Sequence, residues 1–226
     1  MSGTGKNVYS LVLSDEVVQE IDQLAYQNNT NRSNMINQIL AEYVSYTTPE
    51  KRMHQIFDRM EDLLLHGNDG PSVFRLQSLP TDTLFSLRSA LQYKYNPTVR
   101  YSIELYRQMQ DGVIGELRVS LRTQNQTLIA LLGDFYRLWD SIENLYFNDI
   151  QMEEDGGKYT RLLKLHYRKD AEHELSGITV GDVISRYVST FDEALKTYFE
   201  LRGSSEDPAG PLRTIYQNYL KGEVFV

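Results

Sequence analysis

The sequence predicts an α+β protein in two parts, a small N-terminal module and a larger C-terminal α/β domain. Three observations lead there. A lone alternating apolar run, "VYSLVL" at 8–13, is followed by two stretches with helical spacing. An Asp111-Gly112 pair separates two further alternating runs, "VRYSIELYRQ" and "VIGELRVSLR". Apolar stripes of helical period then cover 125–147 and 179–202. With 226 residues, 41% of them hydrophobic and 24% charged, the chain is suited to burying a core.

The first element is a strand over Val8–Leu13. Tyr9, Leu11 and Leu13 fall on one face, and Val8, Ser10 and Val12 on the other. Ser14 then has the side chain to cap a helix. Asp15 and Glu16 put negative charge in its first turn, where the helix dipole favours it. Val17, Ile21, Leu24 and Ala25 make its apolar stripe. "QNNTNRSN" reads as a turn, with Asn31 or Thr30 capping a second helix striped by Met35, Ile36, Ile39, Leu40, Tyr43 and Val44. "TTPEK" ends that helix, because Pro49 removes a backbone donor and suits the first turn of a new one. A strand with two helices, over residues 1–48, cannot be stable alone. Both strand edges lack partners and the core is marginal. A second copy solves both problems: two strands pair antiparallel across a two-fold axis, and four helices close over one face.

The run "YSLVLSDEVVQEIDQLAYQNNTNRSNMINQILAEYV" resembles a ribbon-helix-helix domain of the Arc, MetJ and CopG kind. The likeness covers about residues 6–46. It is carried by the alternating strand, by Leu-Ser-Asp-Glu at the strand–helix switch, by a leucine late in the first helix, and by a polar-Arg-Ser start and Ile-x-x-Ile-Leu seam in the second. The resemblance implies a homodimer or higher homo-oligomer with a core of Tyr9, Leu11, Leu13, Ile21, Leu24, Ile36, Ile39 and Leu40. It implies a β-ribbon in the major groove of double-stranded DNA. Val8, Ser10 and Val12 would then read bases, and Lys6, Asn31, Arg32 and Ser33 would contact phosphates. A transcriptional repressor follows from the same likeness, and no enzyme is expected because no catalytic constellation is legible.

Two departures stand beside it. Val8 and Val12 offer a base only apolar contact, which leaves Ser10 as the polar reader. Residues 1–60 hold five basic side chains against seven acidic ones, although phosphate neutralisation supplies much of DNA affinity. A ribbon that only dimerises an antitoxin-like or adaptor protein is therefore the other reading.

The stripe Met53, Ile56, Phe57, Met60, Leu63, Leu64 predicts a connecting helix over 49–66, and "HGNDGP" at 66–71 marks a boundary before a domain over 67–226. There the patterns predict a strand at "SVFRLQSL", a helix over 80–93, the two strands around Asp111-Gly112 and a helix over 125–147. A loop at "MEEDGGK", a strand at "KYTRLLKLHYRK" and helices over 179–202 and 211–221 follow. The order β-α-β-β-α-β predicts a ferredoxin-like sandwich with extra C-terminal helices. The apolar "EVFV" packs down or extends a sheet edge.

The chain has no cysteine, which removes thiol catalysis, thiolate zinc sites and disulfides, and fits a reducing cytoplasm. "SGTGK" at 2–6 lacks the preceding strand, the following helix and the Ser or Thr of a phosphate loop. "HELSG" at 173–177 is not a zinc-protease motif, and Glu153, Glu154 and Asp155 read as a solvated turn. No metal and no cofactor is expected. "MSGTGKNVYSLVL" is a poor signal peptide, and no run of about 18 apolar residues suits a bilayer, so a membrane is not an expected partner. The net charge is −8, of which the part after residue 60 carries −6. That part suits a protein or small-molecule effector better than broad phosphate contact.

Overall fold

Ser14 turns the chain into its first helix. The structure, a computed structural model, describes residues 8–44, 48–66, 73–167, 177–202 and 206–226. Helix α1 spans Asp15–Gln27, and the Val17 N–H donates to Ser14 Oγ at 3.5 Å. Asn29 takes a left-handed backbone, φ 49°, and the Thr30 N–H returns to the Ala25 carbonyl at 2.9 Å. Asn31 caps α2, Arg32–Tyr43, by accepting from the Asn34 N–H at 3.0 Å. The two helices bury Ile21, Ala25, Met35 and Ala41 and half-bury Ile36.

The sequence-predicted strand at 8–13 is not formed. Val8–Leu13 take no regular structure and lie in solvent, so the described part of this unit begins with helices and has no β-ribbon. The physical reason is that a strand exists by pairing, and among the described residues nothing pairs with this segment.

The chain divides at Thr48 into two units, and the second begins with α3, Pro49–Leu65. Then come β1 Phe74–Ser78, β2 Leu84–Ala90, β3 Thr98–Gln110, β4 Val113–Leu121, α4 Gln126–Glu143, β5 Met152–Asp155, β6 Lys158–Lys164 and β7 His166–Tyr167. Helices α5, Gly177–Leu201, and α6, Ala209–Tyr219, lead to β8, Val224–Phe225. The main sheet has six strands in the order β1-β2-β3-β4-β6-β5, with every neighbour antiparallel. Strands β7 and β8 form a separate pair, so Val224–Val226 of the "EVFV" tail are buried, the first two as a strand, while Glu223 stays exposed.

This order corrects the ferredoxin-like expectation. Residues 80–93 hold strand β2 where a helix was expected. Leu84, Leu87 and Leu91 have helical spacing, but Phe85, Leu87 and Ser89 also alternate. The alternation prevails because β2 can pair on both edges, with β1 and with β3. "MEEDGGK" is not a loop: it is β5 and a two-residue turn at Gly156 and Gly157, both at positive φ. Helix α3 is not a separate connector either. Met53, Ile56, Phe57, Met60 and Leu64 belong to the second unit's core, and Phe57 stacks on Phe85 at 5.6 Å.

One face of the sheet carries Phe85, Leu87, Val99, Tyr101, Ile103, Leu117, Val119, Tyr159 and Leu163, all buried under helices. Phe191 of α5 meets Tyr101, Phe135, Trp139 and Tyr159 edge-on or tilted, at 5.1–6.3 Å. Such aromatic pairs add about 0.5–1.5 kcal/mol each beyond area burial. The Tyr101 hydroxyl donates to Asp192 at 2.8 Å, which satisfies a buried carboxylate beneath the sheet. The other face carries mostly polar side chains, exposed or half-buried, with Ser86 buried among them.

Candidate nucleic-acid interface

The residues expected to read bases are open to solvent. Val8 and Val12 are fully exposed and Ser10 is exposed. Lys6 lies outside the described residues, as do "SGTGK" and His173. Asn31 uses its side-chain oxygen as the cap of α2, and Ser33 is exposed beside it. Arg32 is engaged within the unit. Its Nε donates to Asp22 Oδ1 at 2.7 Å and its Nη2 to Oδ2 at 2.5 Å. This two-point pairing holds the Asp22 carboxyl below the usual carboxylate range and Arg32 above its own. A phosphate at the start of α2 would meet a guanidinium already shared with a carboxylate.

The expected dimer-core residues divide sharply. Ile21 is buried and Ile36 half-buried, while Tyr9, Leu11, Leu13, Leu24, Ile39 and Leu40 are exposed, Leu40 to 52%. A helix pair this short thus leaves most of its apolar residues in water.

The second unit carries a cleft of 320 Å³ lined by Tyr106, Gln110, Asp149, Gln151, Lys164 and His166, among others. Lys164 Nζ donates to Asp149 Oδ2 at 2.6 Å, and His166 Nε2 stands 3.7 Å from Asp149 Oδ1. The His166 ring lies 4.4 Å from that of Phe147. Burial pushes the imidazole below the ordinary histidine value, against the pull of Asp149. The Lys164 contact is the main reason the Asp149 carboxyl lies below its usual range. Sequence reasoning singled out His166 but missed Asp149 and Lys164, which come from a loop and a strand and share no motif.

Arg161, which also lines the cleft, belongs to an ion pair with almost no solvent access. Arg161 Nε donates to Glu143 Oε2 at 3.1 Å, and its guanidinium sits 4.4 Å over the Tyr187 ring. The Tyr159 hydroxyl reaches the same carboxylate at 3.4 Å, and Trp139 Nε1 donates to the Tyr187 hydroxyl at 3.2 Å. Burial raises the Glu143 carboxyl's pKa and the Arg161 charge opposes that rise. Among the described residues no three acidic or histidine side chains are grouped to hold a metal ion, and no helix is long and apolar enough to cross a membrane.

No protein-family model, curated protein or solved structure matches this chain.

Proposed function

We propose that the protein is a dimeric, sequence-specific DNA-binding regulator, a transcriptional repressor acting in the cytoplasm. In this reading Val8–Leu13 of two copies pair as an antiparallel ribbon, which closes a ribbon-helix-helix core and enters the major groove. The observation that carries it is the row of exposed apolar side chains at Tyr9, Leu11, Leu13, Leu24, Ile39 and Leu40, the residues that such a dimer would bury. Each contributes about 1.5–3 kcal/mol on burial if it is as large as Leu or Phe. The Ser14 and Asn31 caps agree with the reading, since they fix both helix starts independently of any partner.

A second reading is favoured by the Arg32–Asp22 pair and the two exposed valines: a dimerising interaction module that leaves DNA alone. Sedimentation equilibrium and anisotropy titration of short duplexes at 50–200 mM salt (about the range over which phosphate contacts weaken) separate the two. A dimer whose duplex affinity falls steeply with salt supports the regulator. A dimer that ignores duplex at the lowest salt supports the module, and a monomer at micromolar concentration removes both.

A further inference from the structure

The open face of the sheet carries a row of cations that nothing in the fold explains. Strand register places Arg75 opposite Arg88, Arg88 opposite Arg100, Arg100 opposite Ser120, and Ser120 opposite Lys158. Arg75, Arg88, Arg100 and Lys158 are all exposed. Like charges directly opposite on neighbouring strands repel, and here three arginines stand side by side. None of the three guanidinium groups has a hydrogen-bonded or ionic partner among the described residues. Arg118, two residues along β4 from Ser120, shows the contrast, because it pairs with Glu104 and Glu116. Charge on this face is thus segregated: a neutralised middle and a basic end. Within the paired residues of that row the acid is Asp155, opposite Lys158 on the edge strand β5. All this occurs in a chain of net charge −8.

We infer that this row is a track for the phosphate backbone of single-stranded nucleic acid. From Arg75 to Lys158 the row crosses four inter-strand spaces, roughly 19 Å at about 4.8 Å each, too long for one small anion and suited to a polyanion. Guanidinium forks match phosphate oxygens in pairs, whereas lysine would serve a general acidic surface as well. Beyond Arg88 the chain turns through Lys94 and Tyr95 before Arg100, and Tyr95 is 89% exposed with Lys94 5.2 Å from its ring. An exposed ring in the connection beside a basic track is the stacking partner that unpaired bases use and duplex bases cannot. The track lies in the second unit, so it does not depend on the N-terminal ribbon.

The test is fluorescence anisotropy of the full chain with labelled oligothymidylate, run beside a duplex of equal length and a polyglutamate competitor. R88Q/R100Q is expected to weaken oligothymidylate binding at least tenfold and to flatten its log–log salt slope by about 1.4, two phosphates at about 0.7 each. Y95A is expected to weaken it about 5-fold or more. R88Q/R100Q is also expected to be at least as heat-stable as the parent, since a repulsive row is relieved. The inference is overturned if the parent does not bind oligothymidylate at 50 mM salt, or if R88Q/R100Q binds it unchanged. Polyglutamate competing as well as the oligonucleotide overturns it too, in favour of an acidic protein. Failure of the ribbon reading would show separately, as loss of duplex binding alone.

Discussion

At the scale of single residues, charge placement dominates. Glu143 and Arg161 are held almost wholly out of water, so each is tolerable only because of the other. E143A, or R161M alone, is expected to cost about 3–5 kcal/mol in urea unfolding of the second unit, whereas E143L/R161M together is expected to approach neutrality. Near the N-terminus the logic reverses, because Asp22 is exposed and engages Arg32, the cation that the proposed duplex contact requires. D22N is expected to strengthen duplex binding several-fold and to steepen its salt dependence by about one phosphate's worth, read by anisotropy. His166 supplies a pH signature. Its folded pKa lies below its unfolded one, so its contribution to stability is complete above the ordinary histidine value and is lost as pH falls through the folded value. Urea midpoints taken from pH 7.5 downward are expected to decline through that window, and H166F, which keeps a ring on Phe147, to remove that component.

At the scale of elements, close packing sets what can change. α5 crosses α3 at Gly181, where an added Cβ would stand 2.9 Å from both Arg59 Cβ and the Ile56 carbonyl. G181A is expected to destabilise the second unit by about 1–3 kcal/mol, by pushing two helices apart. Elements with strong local chemistry were legible in the sequence. Ser14 and Asn31 cap the helices they were expected to cap, and Asp111-Gly112 makes the β3–β4 turn because both residues accept positive φ, 51° and 82°. The misread segments are those whose local pattern is ambiguous. Leu84–Ala90 fits two periods, and only β1 and β3 alongside it decide for a strand. The stripe on α3 told of a buried face but not of what buries it, which is the second unit's own core. The arginine row could not be read, because it exists only through the register of three consecutive strands, and the middle one, β2, was expected to be a helix.

At the scale of the whole molecule, the two units have unequal means of standing alone. The second has a continuous core from Met53 to Val226, and the first has Ile21, Ala25 and Met35 with Ile36 against them. If the first is completed by a second copy, its unfolding midpoint is expected to rise with protein concentration while that of the second stays fixed, in scans from micromolar to millimolar monitored by a probe in each unit. L40E is expected to abolish that concentration dependence. Strand β5 has a further consequence. It is one of the two edge strands of the sheet, and three of its four residues are Glu153, Glu154 and Asp155. A bare border of backbone amides invites a neighbouring molecule to continue the sheet, and a fringe of carboxylates repels such a guest. Exchanging Glu153 and Asp155 for their uncharged amides would remove the fence, and copies of the chain would then be free to join side to side.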